Sequence, residues 1–170
     1  RITRRMTLPA RCEPREKNVE LVETAQPFKA RRSTDMVEET IVSIVTLECS
    51  ARRADIKTVV ENNARDHRLR VIFPSGATKA KSWLADAPFD VVERDIHLPE
   101  TPDWTEPLPE TQAASSWFAV SDEKGGLAIL TKGIPEAACL DDKPHTLALT
   151  LLRGTRRSIG EDYSLEGSQC

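Results

Sequence analysis

Asn62-Asn63-Ala64-Arg65-Asp66-His67-Arg68-Leu69-Arg70-Val71-Ile72-Phe73-Pro74 is the stretch on which the fold turns. Thr58, Val60 and Asn62 alternate on the approach, and Leu69, Val71 and Phe73 alternate on the exit. Period-two alternation puts one set of side chains on one face of a sheet. The stretch therefore reads as the end of one strand, a tight polar turn and the start of the next. The turn holds an acid, an imidazole and guanidinium groups within a few residues. Such a concentration is either a salt-bridged corner or a surface offered to a partner, and Asp66, His67, Arg68 and Arg70 are its candidates.

Composition narrows the classes. A chain of 170 residues can bury a real core. Charged residues make up 30%, but 24 basic and 27 acidic side chains leave a net charge of −3. That balance speaks against non-specific nucleic-acid binding, which needs a strongly basic face. Arg4, Arg5, Arg11, Arg31, Arg32, Arg52 and Arg53 crowd the N-terminal third, where strand-edge charge that blunts edge-to-edge pairing is their expected role. Cys12, Cys49, Cys139 and Cys170 form no C-x-x-C pair. Four reduced thiols in a cytoplasmic protein, two or more of them buried, are expected. No apolar run reaches the roughly 18–20 residues of a membrane span.

Residues 1–40 are polar, with a strand expected at Val19–Val22 and with Pro9, Pro14 and Pro27 marking edge strands or linkers. The strand candidates that follow are Ile41–Leu47, Ala54–Asn63, Arg68–Pro74 and Phe89–Ile96. Residues 75–88 read as a loop. Leu98–Gln112 carries four prolines and reads as a surface connection pinned by Trp104. Ser116–Ser121 and Leu127–Lys132 flank Asp122-Glu123-Lys124-Gly125-Gly126, a hairpin turn whose glycines admit positive φ. Gly133–Glu136 breaks that strand, and Leu147–Leu152 is apolar enough to be central. The fold class is mainly β, an antiparallel sandwich without a long helix.

Catalytic motifs are weak. His67, His97 and His145 are scattered, without H-x-H or H-E-x-x-H spacing for a metal. His67 is expected to bond to Asp66 and orient the turn. Glycoside hydrolysis needs two carboxylates flanking the scissile bond; Asp66, Glu93 and Asp95 sit on or beside strands next to arginines, where structural ion pairing is the favoured reading. No G-x-S-x-G elbow, phosphate-binding glycine loop or dinucleotide fingerprint occurs.

The order of several blocks carries a resemblance. Asn63 with Asp66-His67-Arg68-Leu69-Arg70-Val71 and Phe73-Pro74 is followed by Ala85-Asp86-Ala87-Pro88-Phe89-Asp90-Val91-Val92-Glu93-Arg94. Phe118–Asp122, Gly126–Glu136, Leu147–Arg153, Thr155–Arg157 and Glu166–Cys170 come next. From about Arg32 onward the chain resembles the C-terminal β-rich region of family 38 glycoside hydrolases, the α-mannosidases and mannosylglycerate hydrolase-like enzymes. It departs from the family pattern at Glu136-Ala137-Ala138, where a tyrosine often follows the glutamate.

The resemblance implies a C-terminal β-sandwich of the galactose-mutarotase-like supersandwich type, a fragment of a larger multidomain enzyme. Residues 1–40 would be an edge or linker region and 41–170 the recognisable core. It implies no catalytic or metal residue in this chain. Zinc, its His and Asp ligands and the aspartate nucleophile of the retaining mechanism are expected in the parent's N-terminal domain. The implied partners are the parent's own catalytic and helical domains and a mannose-containing carbohydrate; oligomerisation is left open, and neither nucleic acid nor membrane is expected. Asp66, His67, Arg68, Arg70 and Glu93 are the expected rim or interface residues. Two alternatives are an independent carbohydrate-binding module presenting Trp83, Trp104 or Trp117 and a free-standing assembly protein.

Overall fold

A computed structural model describes residues 1–14, 30–104 and 108–154. Every regular element among them is a β-strand, paired antiparallel. The expected strand at Val19–Val22 lies outside the described residues. Two compact units are present, Arg1–His67 with Gly154–Cys170, and Arg68–Arg153.

The first unit contains β1 (Ile2–Pro9), β2 (Cys12–Pro14), β3 (Ala30–Arg32), β4 (Met36–Thr46) and β5 (Asp55–Glu61). β4 lies between β1 and β5, and β2 pairs with β3. The expected strand at Ile41 thus begins five residues earlier, at Met36. β1 was hidden by Arg4 and Arg5, which interrupt its apolar alternation, yet it is an eight-residue edge strand ending at Pro9. Residues such as these keep an edge from pairing further.

The second unit is a sandwich. One sheet has the order β6 (Arg68–Pro74), β13 (Thr146–Arg153), β12 (Glu136–Cys139) and β9 (Gln112–Ala113). The other runs β11 (Gly125–Leu130), β10 (Trp117–Asp122), β7 (Ser82–Ala87) and β8 (Asp90–Asp95). Leu147, Leu149, Ala137 and Cys139 from the first sheet share one core with Trp83, Ala85, Phe118 and Val120 from the second. Trp83 and Phe118 meet edge to face with ring centroids 6.3 Å apart, the geometry that aromatic quadrupoles favour. Val71 and Phe73 pack against this core from β6, in keeping with their alternation.

Two segments differ from expectation here. Residues 75–88 contain β7, and the break at Gly133–Glu136 ends in β12. Their sequences, Ser82-Trp83-Leu84-Ala85-Asp86-Ala87 and Glu136-Ala137-Ala138-Cys139, are rich in alanine, which has little strand preference of its own. Burial on the sandwich decides them: Ala85, Ala137 and Ala138 are almost fully covered. β13 is central, as its composition requires, with β6 on one side and β12 on the other. A bulge interrupts its pairing with β6: Thr150 faces Arg70, Leu152 faces Leu69 and Arg153 faces Arg68, so Leu151 is the additional residue.

In the β10–β11 hairpin only Glu123 and Lys124 form the turn. The Asp122 carboxylate accepts the Lys124 N–H at 2.8 Å and the Lys79 N–H at 3.2 Å. Those two bonds, the Lys124 one first, hold its carboxyl below the usual carboxylate range. Gly125 adopts φ 147°. Gly126 is required for a different reason: a Cβ there would collide with the Val120 carbonyl oxygen and the Ser121 side chain.

Phe118 is fully buried between the sheets. Phe118→Ala is expected to lower the unfolding free energy by about 3–5 kcal/mol, as for other core aromatics. Urea denaturation checks this, and a loss below about 1 kcal/mol would mean that the sandwich core does not depend on the ring.

Candidate functional site

In the first unit, residues 62–67 are an extended crossing and not a turn. Its fastenings are largely backbone. The Asn63 side-chain amide donates to the Glu38 carbonyl at 2.8 Å, and the Arg65 N–H donates to the Ala10 carbonyl at 2.8 Å. Asp66 takes a left-handed φ of 55°, tolerable for aspartate, and its carboxylate accepts the Cys12 N–H at 3.1 Å. The Gly154 N–H donates to the His67 carbonyl at 2.8 Å.

The partner found for the His67 ring is Glu39 on β4, in place of the expected Asp66. Nε2 lies 3.2 Å from Glu39 Oε1, and the two side chains are 9% and 0% exposed. The pair is within ionic distance but not aligned for a hydrogen bond, so both carboxylate oxygens and both ring nitrogens lack one. A fully buried carboxylate is costly unless compensated. His67 is the ionisable side chain placed beside it.

In the second unit Arg68 and Arg70 belong to a network that includes residues of β6, β12 and β13. Register explains the assembly: Arg70 faces Thr150, Arg153 faces Arg68, and Glu136 belongs to the same row through β12, whose Ala137 faces Leu149. Glu136 Oε1 accepts the Thr150 hydroxyl at 2.7 Å, and Oε2 accepts Arg153 Nη1 at 3.1 Å. Arg68 Nη1 approaches Glu136 Oε1 at 3.6 Å and donates to the Thr111 hydroxyl at 3.1 Å. Arg70 donates to the same hydroxyl and to Glu110 at 3.4 Å. Its Nε is buried without a hydrogen-bond partner. Burial works to raise the Glu136 pKa, but the Thr150 hydroxyl and the charges of Arg153 and Arg68 outweigh it, so it lies below the ordinary 4.5.

Glu93 stands apart, on the β11-β10-β7-β8 sheet, where its carboxylate accepts the Ser82 hydroxyl. The neighbouring Arg94 lies over the Trp83 ring at 5.3 Å. Of the five sequence candidates, Asp66 and His67 lie in the first unit and Arg68, Arg70 and Glu93 in the second. Glu39, Glu110, Thr111, Glu136, Thr150 and Arg153 are the participants that the sequence reading missed. Strand register brings Glu136, Thr150 and Arg153 of the second unit beside Arg68 and Arg70.

Other residues are placed as follows. His97 pairs with Asp141 at 2.8 Å on the surface, and that hydrogen bond holds its pKa above 6.5. Among the described residues no group of three or more His, Cys, Asp or Glu side chains is arranged to hold a metal ion. Cys170 lies outside the described residues; of the others, Cys49 is exposed, Cys12 is half-buried and Cys139 is buried. Its desolvation, with Asp142, Asp141 and Glu110 nearby, pushes it up to about 12. Trp83 is buried and cannot form a sugar platform; Trp104 is 62% exposed and does not pin the proline-rich connection. Among the described residues no helix is long and apolar enough to cross a membrane.

The sequence matches the family profile described as "Glycosyl hydrolases family 38 C-terminal domain" over residues 10–160. The chain belongs to glycoside hydrolase family 38. This family 38 chain is 33% identical over 135 residues to a putative mannosylglycerate hydrolase of Halalkalibacterium halodurans, covering 78% of the chain and 14% of that protein. It resembles the crystal structure of an α-mannosidase from Enterococcus faecalis, with TM-score 0.71, 27% identity and 89% of the chain covered. A second family 38 structure from Enterococcus faecalis gives TM-score 0.68 and 26% identity over the same share. The chain spans 17% of each of those two chains.

Two outcomes follow from these contacts. His67→Ala, which strands the Glu39 carboxylate, is expected to cost about 3–5 kcal/mol by urea denaturation; a neutral result would show that the pair is dispensable. Because the Glu136 pKa is lowered on folding, its stabilisation is present above the ordinary 4.5 and is lost as pH falls through the folded value. Glu136→Gln should cost about 1–2 kcal/mol at about pH 7, and the gap to wild type should narrow as pH falls below the ordinary 4.5. A gap independent of pH in paired urea titrations would contradict the assignment.

Proposed function

We infer that this chain is a non-catalytic C-terminal β-domain of a larger α-mannosidase-like hydrolase, packed against the catalytic part of its parent. The match to a C-terminal family 38 domain across residues 10–160 carries the reading. The small share of its relatives that the chain spans supports a larger parent. Hydrolysis of α-mannosidic bonds, by a zinc-assisted retaining mechanism, belongs to that parent. Its zinc would be held by the N-terminal domain, and no step of the reaction is assigned to residues of this chain. Four scattered cysteines with no C-x-x-C pair favour a reducing, cytoplasmic setting.

The chemistry of the described side chains supports the accessory role. Glu136 and Glu110 are engaged by arginines, unlike the paired carboxylates that must flank a glycosidic bond. Arg68 and Arg70 are the residues we assign to the sugar-pocket rim or to the contact with the catalytic part, since guanidinium groups match carboxylates and hydroxyls. Asp66 and His67 in the first unit, and Glu93 on the other sheet of the second, are proposed as separate interface candidates.

Activity on an aryl α-mannoside and zinc content, measured on this chain beside the full-length parent, test the reading. An inert, zinc-free chain beside an active, zinc-containing parent is expected; hydrolysis or stoichiometric zinc in the chain alone overturns it. In the parent, Arg70→Ala should lower kcat/KM by about tenfold, equivalent to about 1.4 kcal/mol. Unchanged kinetics and unchanged melting would remove Arg70 from the rim or interface.

A further inference from the structure

The described sheets differ sharply in how their edges are protected. An edge strand leaves a row of backbone N–H and C=O groups without partners, and proteins blunt such rows with charge, proline or shortness. β1 carries Arg4, Arg5 and Pro9; β5 carries Asp55, Lys57 and Glu61. β6 carries Arg68, Arg70 and Pro74; β8 carries Asp90, Glu93, Arg94 and Asp95. β9 is two residues long.

β11 has none of these devices. It is Gly125-Gly126-Leu127-Ala128-Ile129-Leu130, six residues without a charge or a proline. It forms the end of the β11-β10-β7-β8 order, and among the described residues no strand pairs with its outer side. Gly126, Ala128 and Leu130 alternate on its exposed face, and Leu130 is 68% exposed. Glycine and alanine at the first two of these positions leave the edge sterically open to another backbone.

We propose that the outer edge of β11 is a strand-pairing site, filled by an extended, largely apolar segment from another part of the same polypeptide. This rests on the reading of the chain as one domain of a larger hydrolase. The occupant is assigned to the polypeptide because the matched part of this chain makes up only 17% and 14% of those relatives. An edge that is permanently paired needs no gatekeeper, whereas one that meets solvent does. The added strand uses main-chain hydrogen bonds for affinity and side-chain alternation for register.

Hydrogen exchange on the full-length parent and on this chain, read by mass spectrometry for residues 125–130 and 90–95, tests the proposal. The β11 amides should exchange about tenfold or more slowly in the parent than in the chain, while the β8 amides change by about twofold or less. Equal rates at β11 in both proteins overturn it, whether fast or slow. Protection in the chain alone that disappears on dilution, with no further protection in the parent, assigns the edge to a second copy and also overturns it. Ala128→Lys should remove the β11 protection in the parent and leave melting of the isolated chain unchanged; retained protection contradicts the pairing. Mannosidase activity of the parent is a separate readout. An active parent with an unprotected β11 rejects this inference alone, whereas an inactive parent with a protected β11 rejects only the hydrolase reading.

Discussion

The two-sided register of β13 is the constraint on which the second unit depends. Leu147 and Leu149 enter the core opposite Phe73 and Val71, while Thr150 lies opposite Arg70 and donates to Glu136. Hydrophobic burial and the charged network are thus set by one alignment. A slip of one residue would reverse both faces, placing leucines in the network row and a threonine in the core. The core gives the alignment its energy, and the network gives it an additional penalty for error.

Most of the second unit was legible because its strands alternate clearly. Leu69, Val71 and Phe73 recur at period two, and Leu147–Leu152 could be recognised as central from its apolarity. β7 and β12 were illegible for the same physical reason in both cases. Alanine declares no preference, and only the tight approach of neighbouring side chains makes it a good strand residue there. β1 was obscured because edge protection places arginines where alternation would otherwise be read.

The candidate site was legible in part. Arg68 and Arg70 could be chosen because guanidinium groups suit carboxylates and hydroxyls, but Glu136 and Arg153 lie 68 and 85 residues beyond Arg68, by subtraction of their numbers. Nothing local associates them. Asp66 and His67 were read as one another's partners because they are adjacent, whereas the chain aims them at Cys12 and Glu39. Glu39 itself gave no warning. An acid in Val37-Glu38-Glu39-Thr40 reads as solvated until the crossing segment brings an imidazole to it.

The bulge at Leu151 has an evolutionary consequence. Arg153 faces Arg68 and lies on the face of Thr150, although three positions separate the two, because the bulge takes up Leu151. Paired in regular register, Leu151 would lie opposite Leu69 and Leu152 opposite Arg68, and Arg153 would turn to the other face, away from Glu136. Deleting Leu151 would restore plain alternation and leave Arg153 opposite Arg68. Residue count at this point is therefore free to fall by one without exchanging the charge for a hydrocarbon, whereas closing the bulge with all residues kept would make that exchange.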